Sequence, residues 1–226
     1  MIRWLIKAAL TVGGALLLVV GVIRAFFAQP LEVGHMGMAP TIAEGDVVLL
    51  WKGTPELGDV AVCAHPEEPG LVVIGRLVAT SGEVSVREDG IDIVNGQSPE
   101  VDFKRVVELR DEGGVLREHS IAEARYGDSN FGHRHLFMAI RKEEDARRRR
   151  RERRYNRASR APRSQSYRLE PGRWFLLGDN RATRDHDSRS FGGVDPTGCR
   201  GTVVMRLEAT AAGESLFEHG WLDPIE

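Results

Sequence analysis

Two polar stretches hold most of the side chains that could do chemistry. GDNRATRDHDSR (178–189) contains two pairs of carboxylates and guanidinium groups, namely Asp179, Asp187, Arg181 and Arg189. Acids and arginines at this spacing predict ion pairs and hydrogen bonds that brace two loops. GHMGMAPT (34–41) offers an imidazole at His35 and a hydroxyl at Thr41.

Histidines near these stretches invite a metal-binding hypothesis. The chain has seven histidines, and the obvious ligands with their acidic neighbours are His133, His135, Asp185, His186 and Asp187. His-x-His in a polar loop and Asp-His-Asp are weak patterns, because solvated side chains produce them equally well. We therefore predict no bound metal and no cofactor.

One long apolar run occupies residues 4–29, WLIKAALTVGGALLLVVGVIRAFFAQ, with no charge between Lys7 and Arg24. Such a run is long enough to cross about 30 Å of hydrocarbon. A cleavable signal peptide needs small residues before its cut, and AFFAQP places Phe26 there. We predict an uncleaved transmembrane anchor over 1–29. The N-terminus would be cytoplasmic, and the bulk of this single-pass chain would lie outside the inner (plasma) membrane.

After the anchor, the pattern changes to short apolar runs separated by turn signals. These runs fall at 46–51, 59–66, 71–80, 83–97, 174–179 and 201–210. The segment 83–97 predicts a hairpin, because two alternating runs surround Asp-Gly and an Asn-Gly turn follows. The pattern predicts a mainly β domain, closed or sandwich-like, built from 30–103 and 167–226.

Residues 104–166 interrupt the β pattern and are predicted to form an inserted subdomain with a flexible Arg-rich tail. The stretch 147–163 holds ten arginines and one acidic residue, Glu152. It has no apolar face, so a helix there would be solvated. Its charge would attract anionic lipid. It lacks the interleaved aromatic residues of a nucleic-acid reader, and we predict no nucleic-acid partner.

The two cysteines, Cys63 and Cys199, fit no zinc-binding spacing. We predict two buried thiols that act as small hydrophobic residues. The alternative is a disulfide, which requires an oxidising compartment.

Five blocks in order resemble the bacterial type I signal peptidase (leader peptidase) family. GHMGMAPTIAEGDVVLL is similar to its SGSMxPTLxxGDxVLV, and GDVAVCAHP (58–66) is similar to GDIVVFxxP. IGRLVATSGEVSVREDGIDIVNGQ (74–97) resembles KRVVGLPGDxVxxxxGxLxVNG. YRLEPGRWFLLGDNRATRDHDSR (167–189) resembles YxVPxGxYFxLGDNRDNSxDSR but is one residue longer, and FGGVDPTGCRGTVVMRL (191–207) resembles WGxVPxxxIxGKAxxI. The resemblance implies a β fold that lies against the membrane, behind the anchor.

The same resemblance implies a serine nucleophile, a neutral lysine base and an oxyanion hole formed partly by a second serine. This chain has Gly37 at the nucleophile position, Gly75 at the base position and His35 at the second-serine position. Glycine supplies neither an attacking oxygen nor a base. The residues that match the rest of the family's site are Met38, Pro40, Arg76, Asp179, Asn180, Arg181, Asp187 and Arg189.

Three functions stay open at this point. The favoured one is a catalytically inactive, membrane-anchored homologue that binds signal peptides, preproteins or an active signal peptidase. The second is an active peptidase that uses displaced groups, with Lys52, Ser81, Ser98, Ser188 and Thr41 as candidates. We expect Thr41 and Ser188 instead to hold the frame through hydrogen bonds to the backbone. The third is an adaptor that binds anionic lipid or a partner through the Arg-rich insert. The related self-cleaving repressors are disfavoured, because this chain begins with an apolar span and not a DNA-binding domain.

Overall fold

The computed structural model describes residues 2–26, 28–110, 116–127, 134–140, 164–208 and 225. Strands dominate the described residues after the first helix, so the predicted mainly β fold is confirmed. The strands are β1 (Ala28–Glu32), β2 (Val47–Trp51), β3 (Val60–Ala64), β4 (Val72–Ala79), β5 (Glu83–Arg87), β6 (Asp92–Val94), β7 (Glu100–Arg110), β8 (Leu116–Arg125), β9 (Arg134–Ile140), β10 (Ser164–Arg168), β11 (Phe175–Leu177) and β12 (Cys199–Glu208). The helices are α1 (Ile2–Phe26) and α2 (Ser188–Phe191), and short 3₁₀ turns cover Met36–Met38 and Pro196–Gly198.

The first element, α1, is a single helix of 25 residues that precedes β1. By length and hydropathy together, no helix in the described part of the chain qualifies as one that could cross a membrane. The transmembrane anchor over 1–29 therefore stays a prediction.

A six-stranded antiparallel sheet forms the centre of the fold, in the order β1-β2-β12-β3-β4-β11. β12 lies between β2 and β3, and Thr202 is the register partner of both Trp51 and Ala61. Because side chains alternate along each strand, one face of the sheet carries a continuous apolar cluster. That cluster consists of Val33, Met38, Ile42, Val48, Leu50, Val60, Val62, Ile74 and Val203.

A second sheet, in the order β10-β5-β6, contains the predicted hairpin, which is confirmed. Its Asn-Gly turn has positive φ at both residues, 51° at Asn95 and 81° at Gly96, and this is the backbone that Asn and Gly tolerate best. Buried side chains of the hairpin pack against Val78 and Phe175 of the central sheet.

A third sheet, in the order β7-β8-β9, forms from residues that the sequence assigned to the inserted subdomain. β7 begins at Glu100, four residues before the predicted boundary at 104. Ile121 and Met138 of this sheet pack on Ala39 and Ala43. The third sheet therefore lies against the loop that follows β1. The division at 104–166 stays a prediction, and the Arg-rich stretch 147–163 lies outside the described residues.

Cys63 and Cys199 form a disulfide, so the prediction of two buried thiols was wrong. The two residues are register partners on β3 and β12, although 136 residues separate them in sequence. Their proximity depends on the insertion of β12 beside β3, which no local pattern reveals. The bond links two central strands within an apolar cluster that also contains Val73 and Leu77.

Replacing both Cys63 and Cys199 by alanine is expected to lower the free energy of unfolding by roughly 2–5 kcal/mol, because the disulfide restricts a long loop in the unfolded chain. Chemical denaturation of the full chain in detergent measures this change. Alkylation before and after reduction, followed by mass spectrometry, should detect two thiols only in the reduced protein. Thiols that alkylate without reductant would contradict the bond.

Candidate functional site

The loop after β1 forms one wall of the candidate site. His35 has an extended backbone, with φ −158° and ψ 159°, and caps the 3₁₀ turn Met36–Met38. Its Nδ1 accepts a hydrogen bond from the Gly37 N–H at 2.9 Å. Met38 and Pro40 are buried, and Met38 belongs to the central apolar cluster. The turn is thus held by an imidazole on one side and by the core on the other.

The His35 ring fills the space beside Gly37. A Cβ placed on Gly37 would lie 2.7 Å from His35 Nδ1 and 2.8 Å from His35 Cε1, closer than real Cβ atoms pack. The φ of Gly37 is not positive, so the backbone itself does not require glycine. The His35 ring also stacks on His186, with centroids 4.3 Å apart and planes 16° from parallel. An imidazole therefore occupies the volume that a nucleophilic side chain would need.

Gly75 lies in the middle of β4, which pairs with β3 and β11. A Cβ at this position would lie 3.0 Å from Leu176 Cβ, inside the apolar cluster that also holds Leu77. Both glycines adjoin one segment of chain. Gly75 faces Leu176, and Gly37 accepts the Asn180 N–H on its carbonyl at 3.0 Å. Gly37 and Gly75 therefore both lie beside residues 176–180, the segment that includes the end of β11.

Burial keeps the His35 imidazole neutral. Loss of solvation and the nearby His186 lower the pKa of His35 from 6.5 to about 4, and the opposing effect of the Asp187 carboxylate is smaller. Because Nδ1 accepts the Gly37 N–H, the single ring proton lies on Nε2. At neutral pH the side chain of His35 is therefore an uncharged imidazole.

A buried ion pair joins β4 to the segment after β11. Nε and Nη2 of Arg76 donate to the two carboxylate oxygens of Asp179 at 3.0 and 2.8 Å. Arg76 Nη1 also donates to the Gly58 carbonyl at 2.7 Å. Thr41 donates its hydroxyl to Asp179, so its partner is a carboxylate and not the backbone group that we expected. These bonds connect three separated stretches of chain around one carboxylate.

A second carboxylate, Asp187, braces the loop between β11 and α2. It accepts the Gly178 N–H at 2.9 Å and the Arg189 Nη2 at 2.7 Å. The same carboxylate caps α2 by accepting the Arg189 N–H at 3.0 Å. On the opposite side of the loop, Asn180 Nδ2 donates to the Met36 carbonyl at 3.0 Å. The loop is therefore fastened at both ends and pinned to the turn that carries Gly37.

Arg181 belongs to a buried polar network that the sequence analysis missed. Its Nη2 lies 3.2 Å from Asp92 Oδ1 and 3.5 Å from His135 Nε2. The Tyr126 hydroxyl bonds to the same Asp92, and burial raises the pKa of Tyr126 well above its ordinary value. The alternation in β6 puts Asp92 on the buried face with Val94, and this inward-facing acid was the signal that could have identified the network.

The displaced hydroxyl and amine candidates lie in different surroundings. Lys52 follows β2 and is exposed, and Ser81 and Ser98 are exposed as well. Ser188 is buried, and its Oγ accepts the Leu176 N–H at 3.0 Å, which is the backbone bond that we expected. Thr41 and Ser188 therefore both use their hydroxyl groups to hold the loops around the site.

The four described residues of the metal hypothesis do not form one site. His133 lies outside the described residues, and the other four have different surroundings: His135 is beside Arg181, Asp185 is exposed, His186 stacks on His35 and Asp187 binds Arg189. Across the described ranges, no group of three or more His, Cys, Asp or Glu side chains is arranged to hold a metal ion.

Comparison with known proteins identifies one family. The family described as Signal peptidase, peptidase S26, matches residues 5–208. Signal peptidase I of Pseudomonas aeruginosa is 28% identical over 235 residues, which cover 92% of this chain and 70% of that protein. Signal peptidase I of Pseudomonas fluorescens is 26% identical over 191 residues, covering 76% of this chain and 58% of that protein. Signal peptidase I of Buchnera aphidicola is 27% identical over 85 residues, covering 30% of this chain and 27% of that protein.

Replacing Asp179 by alanine is expected to lower the free energy of unfolding by roughly 3–5 kcal/mol, because Arg76 would keep a buried charge without its partner. Asp102→Ala is the matched control, since Asp102 pairs with an exposed lysine and its loss should cost at most about 1 kcal/mol. Chemical denaturation of both variants measures the difference. Equal losses would show that burial does not govern the Asp179 pair.

Stability should fall as the pH drops from 6.5 to about 4, in part because of His35. Below its ordinary pKa the unfolded His35 takes up a proton that the folded imidazole refuses, so acid favours unfolding. The loss is complete once the pH is below the folded pKa. Other groups also titrate here, so the comparison is with His35→Asn, which should flatten the profile. Equal profiles for native protein and His35→Asn would refute the assignment.

Proposed function

Because this chain belongs to the signal peptidase family, peptidase S26, we propose that it is a homologue without peptidase activity. It holds signal peptides or preproteins in the cleft that the family uses for cleavage. The observation that carries the proposal is the pair Gly37 and Gly75, at the positions where the family has its nucleophile and its base. Neither residue has a functional group, and removal of such groups from serine peptidases leaves only weak residual catalysis.

The surroundings of the two glycines support the same proposal. The His35 ring stands where a side chain at position 37 would lie, and Leu176 stands against position 75. A hydroxyl would have to displace an imidazole that is hydrogen-bonded and stacked. A lysine at position 75 would have to fit its aliphatic side chain beside Leu176, where a Cβ already lies 3.0 Å from the Leu176 Cβ.

The frame around the cleft supports binding without cleavage. The pairs Arg76–Asp179 and Asp187–Arg189 hold the loop after β11 in place, and Asn180 pins that loop to the Met36 carbonyl. None of these bonds involves a side chain at position 37. A preformed loop loses little conformational entropy when it receives an extended peptide.

An active peptidase that uses displaced groups has less support. Thr41 and Ser188 use their oxygens in hydrogen bonds that hold the frame. Lys52, Ser81 and Ser98 are exposed, whereas Arg76 and Asp179 of the frame are buried.

The proposed location is the inner membrane, with α1 as a single-pass anchor and the bulk of the chain outside the cytoplasm. The support is that α1 presents large apolar side chains outward, among them Leu10, Leu16 and Leu17. Partners would be the lipid bilayer, signal peptides or preproteins, and an active signal peptidase. The adaptor role of the Arg-rich segment rests on its charge alone.

Purified full chain should leave a preprotein uncleaved under conditions in which an active signal peptidase cleaves it. We expect kcat/KM at least about 10⁴-fold below that of the active enzyme, since both reacting groups are missing. Gel analysis of the preprotein measures this, with Ser188→Ala and Lys52→Ala as further samples. Cleavage that one of these substitutions abolishes would overturn the proposal.

A fluorescently labelled signal peptide should nevertheless bind the full chain, as anisotropy can measure. Asp179→Ala should weaken this binding, whereas Asp102→Ala on the exposed surface should leave it unchanged. Absence of both cleavage and binding would refute the peptide-holding role and keep only the inactivity.

A further inference from the structure

The side chain of His35 explains why position 37 holds a glycine. The backbone of Gly37 accepts any residue, since its φ is not positive. What excludes a side chain there is the His35 ring, which comes within 2.8 Å of a Cβ at two of its atoms. The glycine is therefore required by one neighbouring side chain and not by the conformation of the chain.

Several contacts hold the His35 ring in that volume. Nδ1 accepts the Gly37 N–H, and one face stacks on His186. The turn below the ring is pinned by Asn180, which bonds to both Met36 and Gly37. Rotating the ring outward would break the hydrogen bond and the stack together, so the seated position is favoured.

We propose that His35 is a plug that closes the pocket at position 37, so that positions 35 and 37 cannot both carry their side chains in place. This inference rests on the proposed function, because it says what fills the reacting position of the inactive site. Its consequence is that a peptide bound in the cleft faces an imidazole at the point where its carbonyl carbon would otherwise approach a nucleophile. Trimming His35 opens the pocket without changing the loops that frame it.

A double-mutant cycle tests whether the two positions exclude each other. Gly37→Ala should destabilise the full chain, and the loss should largely vanish in the His35→Ser background. Gly34→Ala is the matched control. A Cβ at Gly34 meets nothing within 4 Å, so its effect should be the same in both backgrounds. If Gly37→Ala does not fold alone but folds with His35→Ser, the plug is supported. Equal losses in both backgrounds, or failure of both to fold, overturn it.

Thiol labelling tests whether His35 closes the pocket to small molecules. Cys63 and Cys199 are joined and are the chain's only cysteines, so an introduced cysteine is the single free thiol. With iodoacetamide as the probe, Gly37→Cys together with His35→Ser should label at a rate close to that of Gly34→Cys. Slow labelling of this double variant would show that other groups close the pocket and would overturn the plug.

With His35 retained, Gly37→Cys should label about tenfold more slowly than the double variant if the ring keeps its place, which corresponds to one lost hydrogen bond and stack. If the cysteine displaces the His35 ring, labelling is fast but the protein loses stability. The double-mutant cycle also detects that loss. Fast labelling with no loss of stability overturns the plug. Neither measurement depends on cleavage or peptide binding, so a failure of the plug is distinct from a failure of the proposed function.

Discussion

A single buried carboxylate, that of Asp179, connects the parts of the molecule that surround the candidate site. A charge in the interior is tolerated only when it is paired and hydrogen-bonded, and Asp179 meets both conditions through Arg76 and Thr41. The backbone carbonyl of the same residue accepts the Met138 N–H from the third sheet. The central sheet, the loop after β1 and the third sheet therefore meet at one residue. The bonds that shape the candidate site therefore also hold the sheets together.

The two glycines illustrate a second constraint, that protein interiors tolerate few voids. Removing a side chain from a buried position leaves space that neighbours fill. At position 37 the filler is the imidazole of His35, which brings its own hydrogen bond and stack. At position 75 it is the aliphatic Leu176. Both glycines are thus integrated into the packing.

Much of the fold was predictable from local pattern. The apolar runs between turn signals located β2, β3, β4 and β12, and the Asp-Gly and Asn-Gly turns located the second-sheet hairpin, because alternation and turn chemistry are properties of a few adjacent residues. Long-range features were less accessible. The disulfide was only the second alternative, because it depends on which strand lies beside β3, a pairing between residues 136 positions apart.

In the candidate site, too, local features were predictable and long-range contacts were not. Ion-pairing residues such as Asp179 and Asp187 could be named from their motifs, but their partners could not all be assigned. Thr41 was expected to bond to the backbone and instead bonds to a carboxylate. The network of Asp92, Tyr126 and His135 was missed, since it assembles from two hairpins that the sequence does not place together. The placement of the His35 ring beside Gly37 could not be predicted, because sequence spacing does not fix a side-chain rotamer.

The position of β12 has a consequence for the biosynthesis of the chain. Because β12 separates β2 from β3, the earlier strands cannot complete the central sheet by themselves. Until residues 199–208 have been synthesised and have left the ribosome, β2 and β3 each present an open edge, and open edges pair readily with other chains. The central sheet of the nascent chain therefore stays open between β2 and β3 for most of its synthesis.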